Sequence, residues 1–194
     1  MIKIEIKHEW TGKVLFKLTK ENNTVRETLL KATQQSAFLQ GADLRNLNLK
    51  GLHLRGAYLR GVNFSGSSLQ NVDFQGANLQ NANFQDADLR SADFQDADIR
   101  CIHLQGALMQ GADIEGRKIK KAVIFTGVYK YSVIAYITIH EEKRIKMGCY
   151  DRTLATWEAN FWNNGFEFPN DNSEKSNLRL LAFETAKKWF EIVK

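Results

Sequence analysis

The sequence predicts a mainly β protein whose middle is a coil of five-residue units. A large apolar residue recurs at every fifth position from Leu39 to Ile114, sixteen units without a break in register. Two residues before each centre stands a small or aliphatic side chain, usually Ala, as in Ala42-Asp43-Leu44-Arg45-Asn46 and Ala92-Asp93-Phe94-Gln95-Asp96. Two residues after the centres come turn formers such as Gly41, Asn46, Gly51, Gly56, Asn71 and Ser91. On an α-helix, five residues advance the azimuth by about 140°, which smears the apolar stripe round the cylinder. On a straight strand, an odd period sends successive centres to opposite faces. Keeping every centre inside requires a corner in each unit, and Gly, Asn, Asp and Ser are the residues that accept one.

These units resemble the pentapeptide-repeat family, with consensus A(D/N)LXX, over about 80 of the 194 residues. The resemblance implies a right-handed quadrilateral β-helix, with the central Leu/Phe and the preceding small residue packed inside. Twenty residues then make one coil and sixteen units make about four coils, a stack roughly 19 Å tall at the usual strand spacing. The consensus slips where Leu47 and Leu52 replace Ala, and where the units of Ile102 and Leu108 lack the Asp/Asn. Those units are expected to be wider or covered by flanking segments.

Stacked coils expose an unpaired edge at each end, which needs a cap. Residues 1–36 read as that cap. Ile2, Ile4 and Ile6 alternate with charged residues, Thr11-Gly12-Lys13 turns, and Val14–Leu18 returns as the second strand of a hairpin. Thr24 with Glu27 has the spacing of a capping box, opening a helix that runs to about Gln35. The coil occupies 37–116. Residues 117–194 then read as an α+β module: a β-meander over Ala122–Phe125, Tyr129–Ile139 and Arg144–Met147, with turns near Gly127 and Glu141-Glu142. A short helix over Thr153–Trp162, a loop over Asn163–Asn177 and a second helix over Leu178–Val193 complete it. The hairpin-helix start is similar to the N-terminal cap of phage and prophage repeat proteins. Gly148-Cys149 followed by Trp157 is similar to a module that ends many phage-type members.

Composition is that of a globular chain, 43% hydrophobic and 25% charged. No apolar run reaches the length of a membrane span. Two cysteines, Cys101 and Cys149, form no framework and point to a reducing compartment, so the expected location is the cytoplasm. The net charge of +5 is unevenly spread. Residues 1–37 carry 7 basic and 4 acidic side chains, 38–116 carry 6 and 9, and 117–194 carry 14 and 9.

Catalytic signatures are missing from the sequence: it has no phosphate-binding Gly loop, HExxH or paired CxxC, and no cofactor is implied. His8, His53, His103 and His140 are scattered, with His53 and His103 on opposite sides of the coil, so no metal site is expected. Cys101 occupies a corner beside the outward His103, and Cys149 reads as a buried turn cysteine.

Folding the sequence at twenty residues per turn stacks His53, Asp73, Asp93 and Asp113 in one outward column. The same side carries Asp96 and Glu115 against Arg55 alone, a net of −4. Like charges on neighbouring strands disfavour the fold by up to about 1 kcal/mol per pair. One explanation is local: Asp or Asn at this position bonds its own backbone. The other is that Asp73, Asp93, Asp96, Asp113 and Glu115 form a strip facing a partner. An outward aromatic pair, Phe38 and Tyr58, is expected to be covered by the N-terminal helix.

The leading functional expectation is a non-enzymatic interaction protein, phage-related, binding an unidentified host protein through the acidic face. Some members of the resembled family mimic DNA and occupy the DNA site of gyrase, which makes partial DNA mimicry one form of this reading. The alternatives are nucleic-acid binding through the basic run Arg117, Lys118, Lys120 and Lys121, and a small-ligand pocket around Cys149, Tyr150, Asp151 and Arg152. The C-terminal helices are a candidate homodimer surface if they leave aromatics unburied.

Overall fold

The computed structural model describes residues 1–114, 116–125, 133–147, 150–160 and 174–193. It divides into two compact units, Met1–Lys118 and Ile119–Lys194.

The first unit opens with an antiparallel hairpin, β1 (Ile2–Lys7) and β2 (Val14–Lys20). Its turn holds Gly12 at φ 65, and the His8 ring accepts hydrogen bonds from the Trp10 and Thr11 amides. Helix α1 (Val25–Gln34) follows, with Thr24 as its N-cap accepting from the Glu27 amide at 3.1 Å. The Glu27 carboxylate takes a hydrogen bond from Lys20 at 2.9 Å, which ties the helix to β2 and holds its pKa below the usual range.

The cap reaches the first coil through its backbone. The Glu9 amide donates to Gly41 O at 2.8 Å, and the Asp43 amide donates to Lys7 O at 2.9 Å. Arg26 on α1 donates to Lys50 O at 2.6 Å. These bonds engage edge groups that a bare stack would leave open to a second chain.

From Phe38 on, parallel bridges join residues twenty apart in four columns, including Phe38–Tyr58–Asn78–Asp98 and His53–Asp73–Asp93–Asp113. The centres from Leu39 to Phe94 donate their amides to the coil above, as Phe64 does to Asn83 O at 2.7 Å. From Asn63 on, the residue before the centre donates to the coil below, as Asn63 does to Ala42 O at 2.9 Å. All sixteen centres are at most 5% exposed. The corners keep the sequence period strictly. Every fifth residue from Ser36 to Gly116 has a positive φ, between 51° and 75°. Glycine meets that demand without strain, and Asn, Asp and Ser tolerate it.

Four phenylalanines fill the middle of the interior. Phe64 stacks on Phe84 at 5.3 Å and Phe74 on Phe94 at 5.2 Å, while Phe64 meets Phe74 edge-on at 5.8 Å. Aromatic pairs of this geometry contribute about 0.5–1.5 kcal/mol each beyond area burial. Where Leu47 replaces the consensus Ala, the corner opens. The buried Ser67 hydroxyl enters it, donating to Leu44 O at 2.7 Å and accepting from the Leu47 amide at 3.0 Å. The unit closes with β3 (Asp113–Ile114), which pairs with Lys118 and Arg117 at the start of β4 (Arg117–Phe125).

In the second unit, β4 from Ile119 pairs with β5 (Val133–Thr138), β5 with β6 (Lys143–Met147), and β6 with β7 (Tyr150–Thr153), all antiparallel. Helices α2 (Leu154–Asn160) and α3 (Glu174–Ile192) pack on one face of this sheet. Val133, Ala135, Ile137, Ile145, Trp157, Phe183 and Phe190 form its core. The Trp157 indole donates to Ile145 O at 2.7 Å, which satisfies its one polar atom while buried.

Several boundaries differ from expectation. β4 starts at Arg117, because sheet pairing overrides the weak strand propensity of the lysines. β7 is an additional strand, one that Tyr150-Asp151-Arg152-Thr153 does not signal by alternation. α3 starts at Glu174, inside the stretch expected to be loop. The expected turn at Gly127 and loop residues 163–173 lie outside the described residues.

Two outcomes are expected of this packing. Ser67→Ala strips partners from the Leu44 carbonyl and the Leu47 amide, and should cost about 2 kcal/mol in urea unfolding. Cys101 occupies a corner at φ 58, so Cys101→Gly should stabilise by up to about 1 kcal/mol while Cys101→Val destabilises, both read as shifts in Tm.

Candidate functional site

Where Asp or Asn precedes a centre, from Asp43 to Asp98, the outward position carries a local structural job. Its side-chain oxygen accepts the amide two residues on, as Asp73 does from Gln75 at 3.0 Å, Asp93 from Gln95 at 2.9 Å and Asn83 from Gln85 at 3.0 Å. This Asx bond braces the side ahead of the next corner, which explains why Asp and Asn recur there. The bond alone leaves the charge of an aspartate unanswered, and the residue two positions on decides whether a cation meets it.

Where that residue is Arg, the carboxylate is closed. Arg45 grips Asp43 through both nitrogens at 2.8 Å, and Arg90 and Arg100 hold Asp88 and Asp98 in the same bidentate way. Asp88 also accepts from Gln70, one coil below. The Arg90 hydrogen bonds, against partial burial, lower its pKa to about 2.

In the His53 column the Arg occurs only at the bottom. Gln75 and Gln95 stand two residues after Asp73 and Asp93, and neither glutamine carries charge. Asp73, 20% exposed, is met from the coil below by the Arg55 guanidinium, Nη1 at 3.6 Å, with His53 Nδ1 at the same distance. Asp93 is half-buried with no cation contact among the described residues. Asp113 sits one strand above, and its Oδ1 is buried without a hydrogen-bond partner among the described residues. Asp96 stands exposed on the adjoining corner at φ 58. Glu115 lies outside the described residues. The face therefore grades from cationic at Arg55 to anionic at Asp93, Asp96 and Asp113. Counting charges on the side misses both this gradient and the partial neutralisation of Asp73. The presence or absence of Arg two residues after Asp is the sequence signal that separates open from closed carboxylates.

The basic run lies on β4. Lys118 is the register partner of Asp113, and Arg117 of Ile114. A register shift between Ile119 and Lys121 marks a β-bulge, and it turns both Lys120 and Lys121 toward one cleft instead of opposite faces. Lys120 is ion-paired with Glu141, which holds the Glu141 pKa below the usual range, with Lys121 adding to the effect. Of the third expected constellation, Cys149 lies outside the described residues. Arg152 instead lies over the Trp157 ring, 5.2 Å from its centroid.

Phe38 and Tyr58 do stack outside, 4.9 Å apart, but α1 does not cover them: Phe38 is 73% and Tyr58 45% exposed. The helix spends its buried residues, Leu29 and Ala32, elsewhere. Among the described residues, no group of His, Cys, Asp and Glu could hold a metal ion. No described helix is long and apolar enough to cross a membrane.

A twenty-residue repeat of parallel bridges around apolar centres defines a repeat coil, and comparison with known proteins gives its family. The family described as Pentapeptide repeat region matches residues 32–114. A pentapeptide repeat protein from Nostoc PCC 7120 is 38% identical, with 46% of this chain and 78% of that chain covered, at a TM-score of 0.41. A pentapeptide repeat protein of the Arabidopsis thaliana thylakoid lumen is 33% identical, covering 40% of this chain and 58% of that one, at a TM-score of 0.35. HetL, a pentapeptide repeat protein involved in heterocyst differentiation regulation in Nostoc, is 26% identical over 38% of this chain and 40% of its own, at a TM-score of 0.20. No curated protein matches the sequence. Residues 32–114 are thus a pentapeptide repeat region, and proteins built on this repeat fold as a right-handed quadrilateral β-helix and are generally non-enzymatic scaffolds.

The depressed Asp88 pKa has a definite sign. Its folded value, about 2, lies below the unfolded one, so its contribution is full above about pH 4 and is lost as pH falls toward 2. Because Arg90 is half exposed, solvent screening holds the pair to about 1 kcal/mol. Asp88→Asn should lower the urea midpoint at pH 7, and the gap from wild type should close by pH 2.

Proposed function

We propose that the protein is a non-enzymatic interaction scaffold that binds a basic surface of a protein partner through Asp73, Asp93, Asp96, Asp113 and Glu115. The observation that carries this reading is the contrast between faces. Asp43, Asp88 and Asp98 are closed by the Arg two residues on, whereas Asp93 and Asp113 meet no such cation among the described residues. A charged column left open costs stability through repulsion, and a basic partner would offset that cost.

In its fuller form the proposal is a cytoplasmic, phage-encoded modulator of a host protein, with DNA-like charge on this face alone. The phage-type origin draws its support from the likeness of the terminal segments. Nucleic-acid binding through Arg117, Lys118, Lys120 and Lys121 is the weaker reading, since Lys120 is already tied to Glu141. Self-association through α3 would use Leu178, Leu181 and Ile192, which are exposed, and not the aromatics, of which Phe183 and Phe190 are buried.

The test is capture from bacterial lysate by wild type and by the combined Asp73→Asn, Asp93→Asn, Asp113→Asn variant. One protein held at low salt, released as salt rises and lost by the variant is the expected result. Capture unchanged by the substitutions, or indifferent to salt, counts against the acidic face.

A further inference from the structure

The second unit holds a cleft of about 490 Å³ that the acidic face leaves unexplained. Three ammonium groups line it. Lys120 and Lys121 enter from the bulged start of β4, and Lys143 enters from β6 with its Nζ 5.8 Å from the Phe190 ring centroid. Glu141 and Glu191 line it as well, so the lysines outnumber the acids by one. The volume falls within the range of small-molecule sites and well above what a bare ion fills. Phe190 and Val193 supply an apolar wall.

Glu141 narrows the ligand class. It stands in the turn between β5 and β6 at φ 62 and places its carboxylate on Lys120. This tethered anion already provides what a free monocarboxylate would bring, and at higher effective concentration. Only a ligand with more charge on its anionic group gains by displacing it. Ammonium groups act on such ligands as point charges, in the manner of phosphate-binding lysines. We propose that this cleft binds small organic phosphates, with Lys120, Lys121 and Lys143 on the phosphate, the apolar wall against the organic body, and Glu141 as the internal anion that the phosphate displaces.

The proposal is independent of the acidic face and is tested on the full chain by calorimetric titration. The probes are adenosine monophosphate, phenyl phosphate and glycerol 3-phosphate, with adenosine and inorganic phosphate as comparisons. At least one organic phosphate should bind more tightly than inorganic phosphate, and adenosine should not bind. Lys120→Gln and Lys143→Gln should each weaken binding by about fivefold or more, whereas Lys188→Gln, on exposed α3 surface, should not. Glu141→Gln should tighten binding by about threefold, a gain that a merely structural ion pair does not predict. No binding by any of the three phosphates at millimolar concentration overturns the proposal. So does affinity that Glu141→Gln leaves unchanged, or an oligonucleotide that binds where the three small phosphates do not.

Discussion

Everything in the first unit depends on a left-handed backbone residue at every fifth position. That single constraint bends the chain four times in twenty residues and returns it above its own start. With the bend in place, each unit sends one large residue inward and the residue before it outward. The inward set becomes a continuous core and the outward set becomes columns. A corner residue that resists positive φ would break register for every unit beyond it. The side chains at these corners are accordingly small or polar at all seventeen positions from Ser36 to Gly116, Cys101 included. Corner packing adds a second demand. A Cβ on Gly66 would collide with Asn46 Oδ1, and one on Gly106 with Asp86 Oδ1, so glycine suits the corner one coil beyond each of these polar corners.

The outward columns combine a structural bond and a choice of charge at one residue position. Asp or Asn before the centre is retained for its bond to the amide two residues on, and either residue satisfies that bond. Charge is therefore a free variable at this position, set by the choice of Asp over Asn and by the residue two places later. On three sides, Asp43, Asp88 and Asp98 are matched by Arg45, Arg90 and Arg100. On the fourth, the aspartates outnumber the one arginine, Arg55, which stands beside Asp73. The imbalance is local and has no bearing on the bond that holds the coil. This separation lets one face carry unmatched charge in a fold built for other reasons.

Period, centres and corners are legible in the sequence because they derive from spacing, and spacing survives without side-chain detail. The cap is legible from the alternation of Ile2, Ile4 and Ile6 and from the Thr24–Glu27 spacing. The features that escape depend on pairs of residues brought together only by folding. Ser67 lies twenty residues from the corner it repairs, and nothing at Leu47 announces it. The bulge that turns Lys120 and Lys121 to one side shifts alternation by one residue, which a period-two reading cannot anticipate. The acidic column is visible by stacking residues twenty apart, yet the approach of Arg55 to Asp73 requires their side-chain positions.

The most direct test adds the missing arginines. Gln75→Arg and Gln95→Arg together recreate after Asp73 and Asp93 the spacing that closes Asp88. The measurement is the affinity of this variant for the captured partner, alongside its urea unfolding curve. The account predicts at least about tenfold weaker binding, ~1.4 kcal/mol, with stability unchanged or slightly raised. Full affinity in a variant whose fourth face has been closed would contradict it.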